Sequence, residues 1–233
     1  MTKAEYSKTI VCLANSRKHA GRCIAGKVLE GREAGTWVRP VSGRSSGELS
    51  LSDRTYKDGV PAALFDIITV SMKAPAPHPF QTENHLIDDG FFWTNLGKAS
   101  WHQIGKLIDN FTGPIWEDVS SSYNGKLDRV PENSAAHAVA CFGSSLTLIE
   151  VDNLDIIVQV EGAEFNNPSR HVRGDFTYGG NSYRMMITDP DIESEFFART
   201  NGSYHVGEAL LCISLGEAYN GFAYKLIAAV FRP

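Results

Sequence analysis

The stretch Lys8–Val41, KTIVCLANSRKHAGRCIAGKVLEGREAGTWVRPV, governs how the remaining chain is read. An apolar run from Thr9 to Ala14 stops at Asn15-Ser16-Arg17-Lys18-His19, and a second begins at Cys23-Ile24-Ala25-Gly26. Short apolar runs bounded by polar and glycine residues predict a strand, a basic turn and a returning strand. A third strand carrying Trp37 and Arg39 follows. The turn gathers Arg17, Lys18 and Arg22 with Asn15 and the Ser16 hydroxyl, and Gly21 lets the backbone approach a bound group closely. Donors crowded in this way suit a phosphate. The competing reading is a solvated hairpin end with Asn15 supporting the turn.

Charge sharpens the picture. The 233 residues carry 22 Lys/Arg and 27 Asp/Glu, a net −5, which argues against a non-specific polyanion binder. Residues 1–48 hold nine Lys/Arg against four Glu, a net +5, and the remainder holds thirteen against twenty-three, a net −10. Positive charge is therefore concentrated on the opening stretch. With 42% hydrophobic and 21% charged residues, the composition is that of a soluble globular chain of one large domain or two small ones. Cys12, Cys23, Cys141 and Cys212 lie far apart with no CxxC pair. Free thiols in a reducing cytoplasm are expected, with neither a zinc site nor a disulfide framework. No apolar run approaches the roughly 18 residues of a membrane span, and neither a membrane nor a cofactor is expected.

Past Val41, Ser42 to Gly59 reads as a long polar loop with one helical turn from Ser50, and Leu64 to Val70 as a strand. Three prolines between Pro75 and Pro79 demand an extended connector. Residues 81–140 have a different texture: polar residues and aromatics through Trp93, helical spacing at Trp101, Ile104, Leu107 and Ile108, and an Ala-rich helix opening at Pro131. The β signal then returns. Leu146–Glu150 and Asn153–Val160 read as strands, and His171–Tyr178 and Ser182–Thr188 as a hairpin joined by Gly179-Gly180-Asn181. An acid-started helix follows from Asp191, and the last two strands, Ala209–Leu215 and Ala223–Phe231, flank GEAYNG. This predicts a mainly β protein with a first barrel over 1–80, a helical or irregular insertion over 81–140 and a Greek-key barrel over 141–233. No residue-level repeat relates the halves.

Five segments resemble the bacterial dual-OB-containing domain family: TIVCLANSRKHAGRCIAG (9–26), TWVRPVS (36–42), QTENHLIDDG (81–90), SSSYNG (120–125) and GEALLCISLGEAYNGFAYKLIAAV (207–230). The resemblance implies two OB-like barrels and, by analogy with OB folds, nucleic-acid or nucleotide binding. It also implies a place in bacterial conflict or defence loci. It transfers no activity, so the site has to be argued from residues.

Several constellations qualify. Trp37 and Arg39 share one face of a strand, where an indole and a guanidinium would form a platform for a base; alternatively Trp37 fills the core and Arg39 pairs with an acid. His85, Asp88 and Asp89, with Glu83 and Asn84 nearby, would serve a metal-dependent nuclease or nucleotide hydrolase, although a lone histidine is more often structural. His171, Arg173, Tyr178, Tyr183, Arg184 and Tyr224 interleave aromatics and cations as single-strand binders do, while alternation leaves half of them facing water. Lys225 interrupts an apolar strand, which points to a ligand or to a buried partner such as Asp189. The residues favour binding over catalysis: Asn15, Ser16, Arg17, Lys18, Arg22, Trp37, Arg39 and Lys225 would hold a single strand or a nucleotide. A protein-interaction subunit with a partner from the same locus is the remaining alternative.

Overall fold

In the computed structural model, which describes residues 5–117 and 120–232, the chain divides into two compact units, one ending at Ile108 and the next beginning at Asp109. The first contains β1 (Tyr6–Lys18), β2 (Gly21–Val28), β3 (Trp37–Val41), β4 (Asp66–Pro75), β5 (Asn84–Ile87) and β6 (Thr94–Lys98). Pairing runs β1-β2-β3-β5-β4 and returns from β4 to β1, so five strands close into a barrel; β6 adds to the free edge of β4. The β3–β5 pairing is parallel. Inside lie Ile10, Cys12, Ile24, Val38, Ile68 and Val70, joined by Leu49, Tyr56 and Ala62 from the loop that precedes β4. A long polar loop thus stays ordered by sending three apolar anchors into the core.

The opening hairpin is longer than its sequence suggests. Its turn is His19-Ala20 alone, with His19 at φ 48°, and Asn15 to Lys18 are strand residues paired with Gly21 to Ile24. Polar side chains had marked these positions as a turn, yet the backbone ladder continues through them because a two-residue loop suits the strand twist. A bulge between Cys12 and Ala14 shifts the register. Gly26 is required by close approach, since a Cβ there would lie 2.0 Å from the Val11 carbonyl oxygen.

The second unit contains β7 (Arg129–Pro131), α2 (Glu132–Phe142), β8 (Leu146–Glu161), β9 (Ser169–Tyr178), β10 (Asn181–Ile187), α3 (Pro190–Phe197), β11 (Gly202–Tyr219) and β12 (Phe222–Phe231); a short α1 (Trp101–Gly105) belongs to the first. Here the order is β8-β9-β10-β12-β11, and β11 returns to β8. The β10–β12 contact is again parallel, at Met186↔Leu226 and Ile187↔Ile227. Counting strands from the start of each ring, both follow first-second-third-fifth-fourth with a parallel third–fifth contact, the strand order of an OB barrel. Asp189 caps α3 by accepting from the Asp191 and Ile192 amides at 3.0 and 3.4 Å. Its other oxygen accepts from the Val230 amide of β12 at 3.2 Å, which ties the helix to the ring.

Two expectations change. The segments expected as separate strands around Asp152-Asn153 form one strand, β8, whose pairing with β11 continues through register shifts on either side of Gly207. Residues 81–140, expected as an insertion, are shared out: β5 and β6 belong to the first sheet, and β7 and α2 to the second unit. Four residues, Asn84–Ile87, become a strand because β3 and β4 flank them, a tertiary effect that polar local sequence does not signal. Gly26→Ala should destabilise the first unit on the order of 3 kcal/mol, visible as a lower urea midpoint, whereas Gly105→Ala, with open space around its Cβ, should leave it in place.

Candidate functional site

The residues singled out in the sequence scatter in the fold. Ser16 is buried and its hydroxyl donates to the Cys23 carbonyl at 3.5 Å, while Asn15 Nδ2 donates to the Ala62 carbonyl at 3.1 Å. Arg17 stands opposite Arg22, and Lys18 opposite Gly21. Trp37 and Arg39 are both buried: Arg39 is ion-paired with Glu83 at 3.1 Å, and Lys27 Nζ lies 5.0 Å from the Trp37 ring. Neither offers a stacking face to solvent. His85 Nδ1 shares a 2.8 Å hydrogen bond with the Tyr6 hydroxyl, and burial, with Lys8 nearby, holds the imidazole below its ordinary pKa. Asp89 and Asp88 turn toward Lys73, at 2.6 and 3.8 Å. Lys225 is buried, donates to the Trp116 carbonyl at 3.0 Å and lies 5.7 Å from the Tyr183 ring. Asp189, considered as its partner, caps α3 instead.

What the fold does assemble is a cleft of about 640 Å³ in the second unit. Its walls are the β8–β9 connection at Gly162–Asn167, the β11–β12 turn at Tyr219–Phe222, the first residues of β9 and the segment Ser122–Arg129. In an OB barrel these two connections flank the ligand face. Tyr123, Phe165 and Tyr219 line the cleft and are 76%, 70% and 68% exposed. Large aromatics normally bury most of their surface, so three solvent-facing rings converging on one cleft carry meaning. Tyr123 and Phe165 meet edge-on at 6.1 Å between centroids, and the Arg129 guanidinium sits 3.8 Å from the Phe222 ring centroid. A cation over an aromatic face offers a charged and a stacking surface together.

Beneath the rings lies a buried charge network. Arg173 of β9 forks onto Glu161, Nε to Oε1 at 2.7 Å and Nη2 to Oε2 at 2.9 Å, and its Nη1 reaches Asp128 at 3.2 Å. Asp128 also accepts from the Ser122 amide at 2.7 Å and from the Ser122 hydroxyl. Gly125 makes this possible, since any Cβ there would overlap the Asp128 carboxylate. Lys126 exchanges backbone hydrogen bonds with Arg184 of β10 at 3.1 and 3.0 Å, and the Asp128 carbonyl accepts from the Lys225 amide of β12 at 2.8 Å. The polar segment SSSYNG is therefore sewn to the ring and holds Tyr123 at the rim.

The sequence carried one overlooked signal for this site: Tyr-Asn-Gly occurs twice, at 123–125 and 219–221, and both tyrosines line the cleft. In the second copy Asn220 and Gly221 have φ 51° and 79°, a tight turn that presents its tyrosine outward. Phe165 had no such mark. From Asp109 onward the chain holds eight Lys/Arg and seventeen Asp/Glu, a net −9, against fourteen and ten, a net +4, before it. With Arg173 matched by Glu161 and Asp128, Arg129 is the main cation of the cleft.

Burial raises the pKa of the Glu161 carboxyl, but the Arg173 fork and the Gln159 amide outweigh it and hold the group below its ordinary value. Because the folded value is the lower one, its contribution to stability is complete at neutral pH. It is lost as pH falls below the ordinary glutamate range near ~4.3. Arg173→Met leaves two buried carboxylates without their cation and should cost about 3–5 kcal/mol, measured by urea unfolding at pH 7, with a smaller loss at pH 4.

Among the described residues no group of three or more His, Cys, Asp or Glu is placed to hold a metal ion, and no helix is long and apolar enough to cross a membrane. No curated protein and no solved structure matches the chain. The dual OB-containing domain family matches residues 8–230; with both rings in the OB strand order, the chain belongs to that family.

Proposed function

We propose that this protein binds single-stranded nucleic acid, or a nucleotide unit of it, in the aromatic cleft of its second unit. The observation that carries the reading is the convergence of exposed Tyr123, Phe165 and Tyr219 with the Arg129–Phe222 pair between the two connections that flank an OB ligand face. Each base has a π-face, so such rings take bases without regard to sequence, and stacking contributes about 1–3 kcal/mol per base. Arg129 supplies a contact for one phosphate. The cleft volume of about 640 Å³ lies within the usual range for a small-molecule site. A role in a bacterial conflict or defence locus, implied by the family resemblance, belongs to the same proposal.

The net −9 of this unit sets the form of the binding. An acidic surface repels a polyanion, so stacking has to dominate and salt dependence has to be shallow. Fluorescence anisotropy with labelled DNA and RNA single strands, and competition by mononucleotides, is the test. Tyr219→Ala and Phe165→Ala should each weaken binding roughly 5- to 150-fold, corresponding to about 1–3 kcal/mol. Arg129→Gln should lower the already shallow salt slope by about 0.7. Affinity unchanged by both aromatic substitutions, or no binding at low salt, removes this reading. Retention of a protein partner from the same locus by a chain that binds no nucleic acid would favour the interaction-subunit alternative.

A further inference from the structure

We infer that Arg173, at the floor of the aromatic cleft, makes the cleft selective for guanine by donating to the O6 and N7 acceptors of that base; this rests on the cleft being the place where a strand or nucleotide binds. The rings at the rim take any base, and Arg129 contacts a phosphate that every nucleotide carries. Neither distinguishes one base from another. Selection needs a polar group that meets a base edge, and such a contact is strongest where water is largely excluded.

Arg173 is only 6% exposed, yet it lines the cleft. A guanidinium has five N–H groups and no acceptor. Three are in use: Nε and Nη2 on the two oxygens of Glu161, at 2.7 and 2.9 Å, and Nη1 on Asp128 at 3.2 Å. One N–H on Nη1 and one on Nη2 therefore remain without a partner among the described residues. Glu161 is itself held by the Gln159 amide at 3.0 Å, and Asp128 by the Ser122 backbone amide at 2.7 Å. The guanidinium thus meets a ligand with its orientation already set, which lowers the entropic cost of the contact.

Charge decides what kind of acceptor fits. One guanidinium faces two carboxylates, Glu161 and Asp128, so the cluster repels a phosphate and suits a neutral acceptor. Two neutral acceptors side by side match the two remaining N–H groups. Guanine presents O6 and N7 as such a pair, the set that arginine reads most often. Adenine puts an amino group beside N7, and thymine has a single carbonyl next to its methyl group. Cytosine places O2 and N3 together but on one ring, which gains less from stacking on Tyr123, Phe165 and Tyr219 than a two-ring purine does.

Labelled oligothymidylate strands that differ at one central position, carrying guanine, adenine, cytosine or thymine there, test this by fluorescence anisotropy. The guanine strand should bind about 5- to 150-fold more tightly than the other three, and GMP should displace it more readily than AMP, CMP or UMP. 7-Deazaguanine at the same position lacks the N7 acceptor and leaves the protein untouched; it should lose most of the margin. Arg173→Lys keeps a cation for Glu161 and Asp128 but has no two-pronged fork, and should remove the preference for guanine over adenine. If that substitution prevents folding, the 7-deazaguanine strand decides alone. Guanine bound no more tightly than cytosine or adenine, or 7-deazaguanine bound as well as guanine, overturns the inference and leaves the cleft a general single-strand site. A chain that binds none of the strands overturns it together with the reading on which it rests.

Discussion

Two short parallel contacts close this molecule's sheets. In the first unit β3 meets β5 at Arg39↔Asn84, Pro40↔His85 and Val41↔Leu86; in the second, β10 meets β12 at two residue pairs. Without them each sheet would be an open ribbon with unpaired edges, exposed to pairing with other chains. With them the strands curl around a core, and the connections between the first and second strands and between the fourth and fifth are held in place. Because a parallel contact joins strands distant in sequence, closure depends on the whole unit having formed, and the placement of the loops depends on closure.

The same strand order carries different connections in the two units. In the second, the first connection holds Phe165 and the last holds Tyr219, in a unit that carries more acidic than basic residues. In the first, the connection between the first two strands is only His19-Ala20, too short to offer a ring, and the hairpin instead extends cations past the barrel end. Trp37 of β3 is internal beside Lys27. One ring order thus accommodates an aromatic-lined cleft in one unit and a long basic hairpin in the other, because the barrel core constrains only inward positions and leaves connection length and end residues free.

Buried charge recurs in both units with a structural purpose. Arg39 with Glu83, and Arg173 with Glu161 and Asp128, are ion pairs taken out of water. Such pairs seldom add stability over an apolar replacement, but their fixed fork geometry specifies one arrangement of neighbouring segments. Arg173 does this for the segment carrying Tyr123, joining β8 and β9 to a loop that would otherwise have few apolar anchors. Asp66 acts similarly in the first unit, accepting from the Tyr56 hydroxyl at 2.7 Å and the Ala63 amide at 2.9 Å where the long loop rejoins β4.

The sequence by itself determined the β character, the hairpins at Gly179-Gly180 and at the end of the chain, the helix after Asp189, and the motif segments by which the chain resembles its family. These rest on local alternation, on residues that tolerate positive φ and on capping chemistry, which act over a few neighbouring residues. Tertiary structure alone decided which side chains share a face. One bulged residue before Ala14 reverses the parity of everything after it, so that Asn15 and Arg17 join Arg22 while Ser16 and Lys18 are turned away. It also decided that two Tyr-Asn-Gly turns, about a hundred residues apart in the chain, line one cleft, and that Trp37, Arg39 and Lys225 are interior. Parity and proximity are properties of strand register and ring closure, and neither is encoded in any short run of residues.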